Sequence, residues 1–412
     1  MFTKVYPYAC LNIDCTWTQW FTGLWRALYT SEHRSDLTEK ICRLFSPSEN
    51  VIVTMCVRSA FDLFLGAINL PKGSEVIITS ISIPEMTRII RKHCLIPVPV
   101  DVKIDSMITP VDRVEKAINQ RTKLIVISML YGVTFDLTEI SNLAKKNGIL
   151  LLEDSAECYA GNQINENECA DATVISFGPI KTATAFGGGV IVVRNSKILS
   201  KMKAIHAQYP IQPNNLYISK VLRYSIGKIL LNSTTVNKLL RPILLQLNID
   251  YKKQVVKLMR GFAPSTGLEI YRFQPCAGLL SFLHYRLSAS NETELLHSME
   301  KLHLATDILT QGGLQVPGHL TRRKVFWLYP VVVPDATKAY SLLNNAGIDA
   351  YRGISQLNKI DPPVGSSYEQ PEETNKMFKN LLYFPLHKDV PEKHVREICL
   401  KAAELLNPRP KI

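Results

Sequence analysis

The chain has 412 residues, 46% of them hydrophobic and 20% charged, which suits a folded globular protein and excludes a largely disordered one. No apolar run reaches the roughly 20 residues of a membrane-spanning helix, and the opening "MFTKVYPYACLNIDC" lacks the unbroken apolar core of a signal peptide. The net charge of +12 points to an acidic partner (nucleic acid, an anionic membrane surface or a phosphate-bearing substrate) without choosing among them.

The elements then follow in chain order. "VIVTM" (51–55) is a β-branched strand, and "SAFDLFLGAINL" (59–70) has helical periodicity and stops before Pro71. "EVIIT" (75–79) and "LIPVPV" (95–100) are strands with a helical "EMTRIIRKH" between them. "TKLIVIS" (122–128), "LTEISNLAKKNG" (137–148) and "ILLLED" (149–154) give strand, helix and strand, followed by "ATVISF" (172–177) and "GVIVV" (189–193). Near-continuous apolar strands alternating with amphipathic helices predict an α/β fold with a mainly parallel central sheet flanked by helices.

Past residue 205 the rhythm breaks. Residues 216–260 are apolar and basic, with nine Lys or Arg against a single acid, Asp250. Packed helices would bury Leu230, Leu231, Leu239, Leu240 and Leu244, and Pro242 would interrupt one long helix. The alternative is an interfacial helix that meets anionic lipid through its basic residues. "YRFQPCAGLLSFLHYRL" (271–287) is read as a helix, as is the stretch from Glu292 to Leu309. "VFWLYPVVV", a helix from Asp335, "LLYFP" and a helix from Glu392 close a small α+β domain. The boundaries drawn are 1–204 for the large domain, 205–265 for the basic helical insertion and 266–412 for the small domain. The nine cysteines form no CxxC pair, and Cys56, Cys276 and Cys399 lie in apolar contexts, which fits reduced thiols in a cytoplasmic protein. No metal site and no nucleic-acid-reading motif is expected.

In open α/β sheets ligands bind beyond the carboxyl ends of the parallel strands. Arg58 and Ser59 follow the first strand there, Asp154 ends "ILLLED", and Ser176 ends a strand five residues before Lys181. Singly, such an acid is a helix cap, such a lysine is solvated surface, and Gly187–Gly189 mark a turn. Together they fit pyridoxal 5'-phosphate. Lys181 would form the Schiff base, Asp154 would keep the pyridine nitrogen protonated, and the helix start at 58–60 with Ser176 would hold the phosphate. The glycines would let backbone pass close to the ring.

The stretches "LPKGSEVIITS", "KKNGILLLEDSAECYAG", "VISFGPIKTATAFGGGVIVV" and "YFPLHKDVPEKHV" resemble the DegT/DnrJ/EryC1/StrS sugar aminotransferase family of fold-type I pyridoxal-phosphate enzymes. The resemblance runs from about residue 45 to the C-terminus, apart from the basic insertion. It implies that Lys181, Asp154 and Ser176 are the Schiff-base lysine, the pyridine-nitrogen partner and a phosphate ligand. It adds Glu157 to the cofactor shell, where the family has glutamine. It further implies amine transfer from glutamate or glutamine to a nucleotide-linked keto sugar, by a homodimer. Departures lie at Val57-Arg58 for Gly-Thr, Tyr159 for histidine, Ile83 at the stacking position, Phe186 for glycine and Ile270 for asparagine. Another pyridoxal-phosphate reaction, such as dehydration, and a non-catalytic dimeric scaffold are the alternative readings.

Overall fold

The computed structural model describes residues 4–407 except 47–49, 162–167, 248, 250–251, 253–254, 256–266, 290–291, 322–324 and 354–356. Part of the 216–260 stretch therefore lies outside the described residues. In chain order the elements begin with α1 (Trp17–Tyr29), α2 (Arg34–Phe45), β1 (Val51–Thr54), α3 (Val57–Ile68), β2 (Glu75–Thr79), β3 (Ile81–Ser82), α4 (Pro84–Lys92) and β4 (Ile96–Val100). Next come α5 (Val111–Ala117), β5 (Thr122–Ser128), α6 (Thr138–Lys146), β6 (Leu150–Asp154), β7 (Ala172–Ser176), β8 (Gly189–Val193) and α7 (Ser196–Ala207). Then follow α8 (Asn214–Asn232), α9 (Thr234–Gln246), α10 (Ala277–Ser288), α11 (Glu292–Gln311) and β9 (Pro330–Val332). The chain closes with α12 (Ala336–Asn345), β10 (Asn358–Lys359), α13 (Glu372–Asn380), β11 (Leu381–Tyr383) and α14 (Glu392–Leu406).

Seven strands form the central sheet in the order β1-β8-β7-β6-β5-β2-β4. The β4-β2-β5-β6-β7 run is parallel, and β8 is antiparallel to both β7 and β1. β2, β7 and β8 are buried at every residue, as strands covered on both faces must be, and this is why they read as unbroken apolar runs. β4 carries Pro97 and Pro99, which donate no backbone hydrogen bond, and it sits at the sheet edge with β2 as its one strand partner among the described residues.

The smaller unit packs α11, α12 and α14 on the β9–β11 pair, with Tyr6 and Tyr8 of the N-terminal segment in the same apolar cluster. β10 pairs with β3 in a separate two-stranded sheet and so ties this half of the chain to the segment that follows β2. α10 follows the boundary drawn at 266, yet its Leu279, Phe282 and Leu283 share one core with α1, α2 and α8. The helix expected over 271–287 begins only at Ala277, because Pro275 forces the preceding chain away from helical geometry. The strand expected over "VFWLYPVVV" shrinks to Pro330–Val332, and Trp327 is released from the sheet.

In the insertion, Pro242 does not break a helix: α9 runs through it to Gln246. The break falls at Ser233, where the Asn237 side chain donates to the Leu230, Leu231 and Ser233 carbonyls and satisfies the end of α8. Leu231 is buried, Leu230 and Leu244 are half-buried, and Leu239 and Leu240 are exposed. Several of the basic residues are not solvated at all. Arg241 and Lys252 are buried against Asp349, and Lys228 reaches the Cys15 carbonyl.

Candidate active site

A cleft opens at the carboxyl edge of the parallel strands. Asp154 (end of β6), Ser176 (end of β7), Lys181, Glu157 and Arg58 all line it, although up to 123 positions separate them in sequence. Sheet topology accounts for this, since parallel strands deliver successive carboxyl ends to one edge.

Lys181 stands in a turn closed by its own N–H to the Gly178 carbonyl (3.0 Å). Its Nζ donates to Glu157 Oε1 at 3.5 Å and lies 3.6 Å from the centre of the Trp327 ring. Burial pushes the Lys181 amine below the usual lysine range, although Glu157 and Asp154 pull the other way. Burial raises Glu157, against the pull of Lys181 and of the Tyr131 N–H, which donates to Oε2 at 2.7 Å. Burial likewise raises Asp154, opposed by the Ala156 N–H (3.1 Å to Oδ1) and by Lys181. One basic and two acidic side chains thus share a site in which burial opposes the charge on each.

At the opposite end of the cleft α3 begins, with Cys56 as its N-cap residue. Its first-turn N–H groups form an anion-binding end beside Arg58. Ser59, expected among the ligands, is not in the cleft: it is buried with its hydroxyl 3.4 Å from Cys56 Sγ. Ser176 Oγ accepts from the Gly178 N–H at 3.4 Å. Lys220, from the inner side of α8, completes the cluster. A Cβ at Gly187 would lie 3.6 Å from its Nζ, and burial holds this amine at about 8. Burial also raises the Cys56 thiol, but Arg58 and Ser59 outweigh it, so the thiol sits below its usual value.

The glycine triplet acts differently from expectation. Of the three only Gly187 lines the cleft. Gly188 has φ +96°, and a Cβ on Gly189 would stand 2.5 Å from the Cys56 carbonyl carbon. These two let β8 pass against the start of α3 rather than against a ring. Ile83, read as the stacking position, lines the cleft, as does Ala156. Sequence reasoning missed Lys220, Tyr224 and Trp327. The only signal for Trp327 was an indole at the ragged start of a short apolar run.

The sequence model of the DegT/DnrJ/EryC1/StrS aminotransferase family matches residues 25–222, a span that holds every residue placed in the cleft except Tyr224, Trp327 and Leu357. Residues 25–222 belong to the DegT/DnrJ/EryC1/StrS aminotransferase family. The match stops within α8, and beyond it the likeness is one of fold. The aminotransferase TlmJ from Streptoalloteichus hindustanus is 17% identical, with 96% of this chain and 98% of that chain covered at a TM-score of 0.65. Helicobacter pylori PseC, an aminotransferase of pseudoaminic acid biosynthesis, is 18% identical over 96% and 98%, at 0.67. The E. coli GDP-4-keto-6-deoxy-D-mannose-3-dehydratase with bound hydrated PLP is 15% identical over 96% and 99%, at 0.66. The fold shared with these structures therefore extends over nearly all of the chain, the small unit included.

Proposed function

We propose that the chain is a pyridoxal-phosphate-dependent aminotransferase that moves an amino group from glutamate or glutamine to a nucleotide-linked keto sugar. The observation that carries this reading is the convergence of Lys181, Asp154 and the Arg58–Lys220 pair on one cleft. The donor set suits the cofactor: Lys181 would hold its aldehyde, Asp154 its ring nitrogen, and the start of α3 with Arg58, Ser176 and Lys220 its phosphate. When bound, pyridoxal phosphate supplies the electron sink for breaking a bond at the substrate α-carbon. Burial favours the neutral form of Lys181, which is the form that attacks a carbonyl. The same Nζ takes a proton from the substrate α-carbon and returns it as acid. Asp154 ionises when a cation faces it, which offsets the burial that otherwise raises it. Trp327 donates its indole N–H to the Ile180 carbonyl (2.6 Å), so the ring that shields the amine from water is itself anchored.

A nucleotide-linked substrate agrees with the basic chain and with the structure of DesI, which was determined with its TDP-sugar product. Dehydration is the second reading, since a dehydratase shares the fold; the family resemblance gives deoxysugar dehydratases a histidine in place of the lysine, so Lys181 favours amine transfer. The family resemblance adds a cytoplasmic homodimer, to be checked by sedimentation at micromolar concentration. The decisive experiment loads the protein with cofactor, reduces it with borohydride and maps the labelled peptide. It then measures 2-oxoglutarate release from glutamate. Label on Lys181 with 2-oxoglutarate formed is the expected result. A Lys181→Ala protein that still takes label in that peptide, or that still releases 2-oxoglutarate, would refute the assignment.

A further inference from the structure

One surface is used by neither the core nor the cleft. Nineteen large apolar side chains are exposed among the described residues, and fifteen of them fall within 17–29 and 211–249. α1 and α8 lie side by side and antiparallel. Asn214 at the start of α8 donates to the Ala27 carbonyl near the end of α1 (3.1 Å). Lys228 near the end of α8 reaches the Cys15 carbonyl and stands 4.8 Å over the Trp17 ring. The outward flanks of the two helices thus join into one face. On α1 it carries Trp17, Phe21 and Trp25, which recur every four residues and are 41%, 63% and 64% exposed. On α8 it carries Leu222, Ile226 and Ile229. The other side of α8 is already buried, through Tyr217, Val221, Tyr224 and Leu231. A helix apolar on both sides needs a second apolar medium, and scattered surface leucines do not account for a face of this extent.

Charge selects the medium. α1, α8 and α9 contain six Lys or Arg and no Asp or Glu. Arg26, Arg223 and Lys238 of these helices are exposed. A two-fold copy would set this cationic, acid-free face against itself, which like charges oppose. An anionic lipid surface complements it: Trp seats at the headgroup boundary, and Lys and Arg meet the phosphates. Among the described residues no helix is long and apolar enough to cross a bilayer, so the contact is one of lying on the surface. We propose that the face formed by α1, α8 and α9 docks on an anionic lipid bilayer, with the aromatic stripe of α1 in the headgroup–acyl boundary. Because Lys220 and Tyr224 line the cleft from the inner side of α8, the docked helix is also a wall of the active site.

The test is co-sedimentation of the full chain with phosphatidylcholine vesicles, with and without phosphatidylglycerol, at low and high salt. Binding is expected to the anionic vesicles alone and to fall as salt rises. The exposed pair R223E/K238E should weaken it on the order of tenfold or more. F21S/W25S should abolish it while leaving circular dichroism and thermal unfolding unchanged. Tryptophan emission of the wild type should shift to the blue on anionic vesicles. Absence of wild-type binding at low salt overturns the proposal, as does binding that survives F21S/W25S. A wild-type dimer that F21S/W25S turns into monomers, with no vesicle binding, makes the face a subunit contact and likewise overturns it.

Discussion

Lys181 and Lys220 are both amines taken out of water, and the cleft treats them differently at its two ends. Lys181 faces two carboxylates and an indole, whereas Lys220 shares its end with Arg58 and the positive end of α3. Lys220 therefore sits at about 8 against 10.5 in the open chain, burial being the main cause. Below about 8 folded and unfolded chains both hold the proton, and the folded chain bears the full cost of a buried charge. Between about 8 and 10.5 the unfolded chain binds more protons, so this group's contribution makes stability rise with pH there. Lys220→Met should flatten that rise in cofactor-free protein, measured as the urea midpoint across the window. An unchanged slope would remove Lys220 from the buried cluster. A phosphate bound beside Lys220 favours the protonated amine, so binding inorganic phosphate just above pH 8 should take up a proton. Calorimetry in buffers of different ionisation heat reads that proton directly, and Lys220→Met should lose it.

At the scale of elements, the crossing of β8 over the start of α3 sets the shape of the phosphate end. A side chain at Gly189 would meet the backbone of Cys56 and Val57, which cannot give way as a flexible side chain can. Gly189→Ala should cost about 2 kcal/mol or more and weaken cofactor binding together with stability, read by denaturant unfolding and by cofactor titration. Wild-type stability in that variant would mean that the strand–helix contact is looser than described. Phe186 keeps φ +59° where the family resemblance implied glycine. Its ring is buried against Tyr224 and Phe282, and that packing holds a backbone conformation that costs a phenylalanine of order 1 kcal/mol. Phe186→Gly would relieve the backbone and lose the ring, so it should destabilise by about 2 kcal/mol net, since aromatic truncation in a core costs about 3 or more. A variant more stable than wild type would invert that ranking.

Across the whole molecule, Asp349 gathers three distant parts of the chain. Its carboxylate is fully buried, accepts the Cys10 N–H at 3.0 Å, lies 2.7 Å from Lys252 and is 3.9 Å from Arg241, which also donates to the Tyr6 carbonyl. The N-terminal segment, the insertion and the small unit are thus tied at one buried ion cluster. Asp349→Asn leaves two buried cations facing a neutral amide and should destabilise by about 3–5 kcal/mol, measured by urea unfolding. A loss below about 1 kcal/mol would show that water reaches the cluster. The sheet and its strand-end chemistry were legible from sequence because their causes are local. A strand buried on both faces must be an unbroken apolar run, and a parallel strand must put its next polar residue at the carboxyl edge. Asp154, Ser176 and Lys181 could be placed on that rule alone, and the family resemblance then named their chemistry. Trp327, Lys220 and Tyr224 could not, because no local pattern says which helix or loop will fold over the cleft. Nor could the sequence separate Arg241 and Lys252 from solvated charge, or the stripe of α1 from an ordinary core face. A cation or an indole looks the same in a string of letters whether it ends in a carboxylate's grip, over an amine or in open solvent. Only the packing of segments far apart in the sequence decides which, since burial and pairing are properties of the folded surroundings and not of the residue.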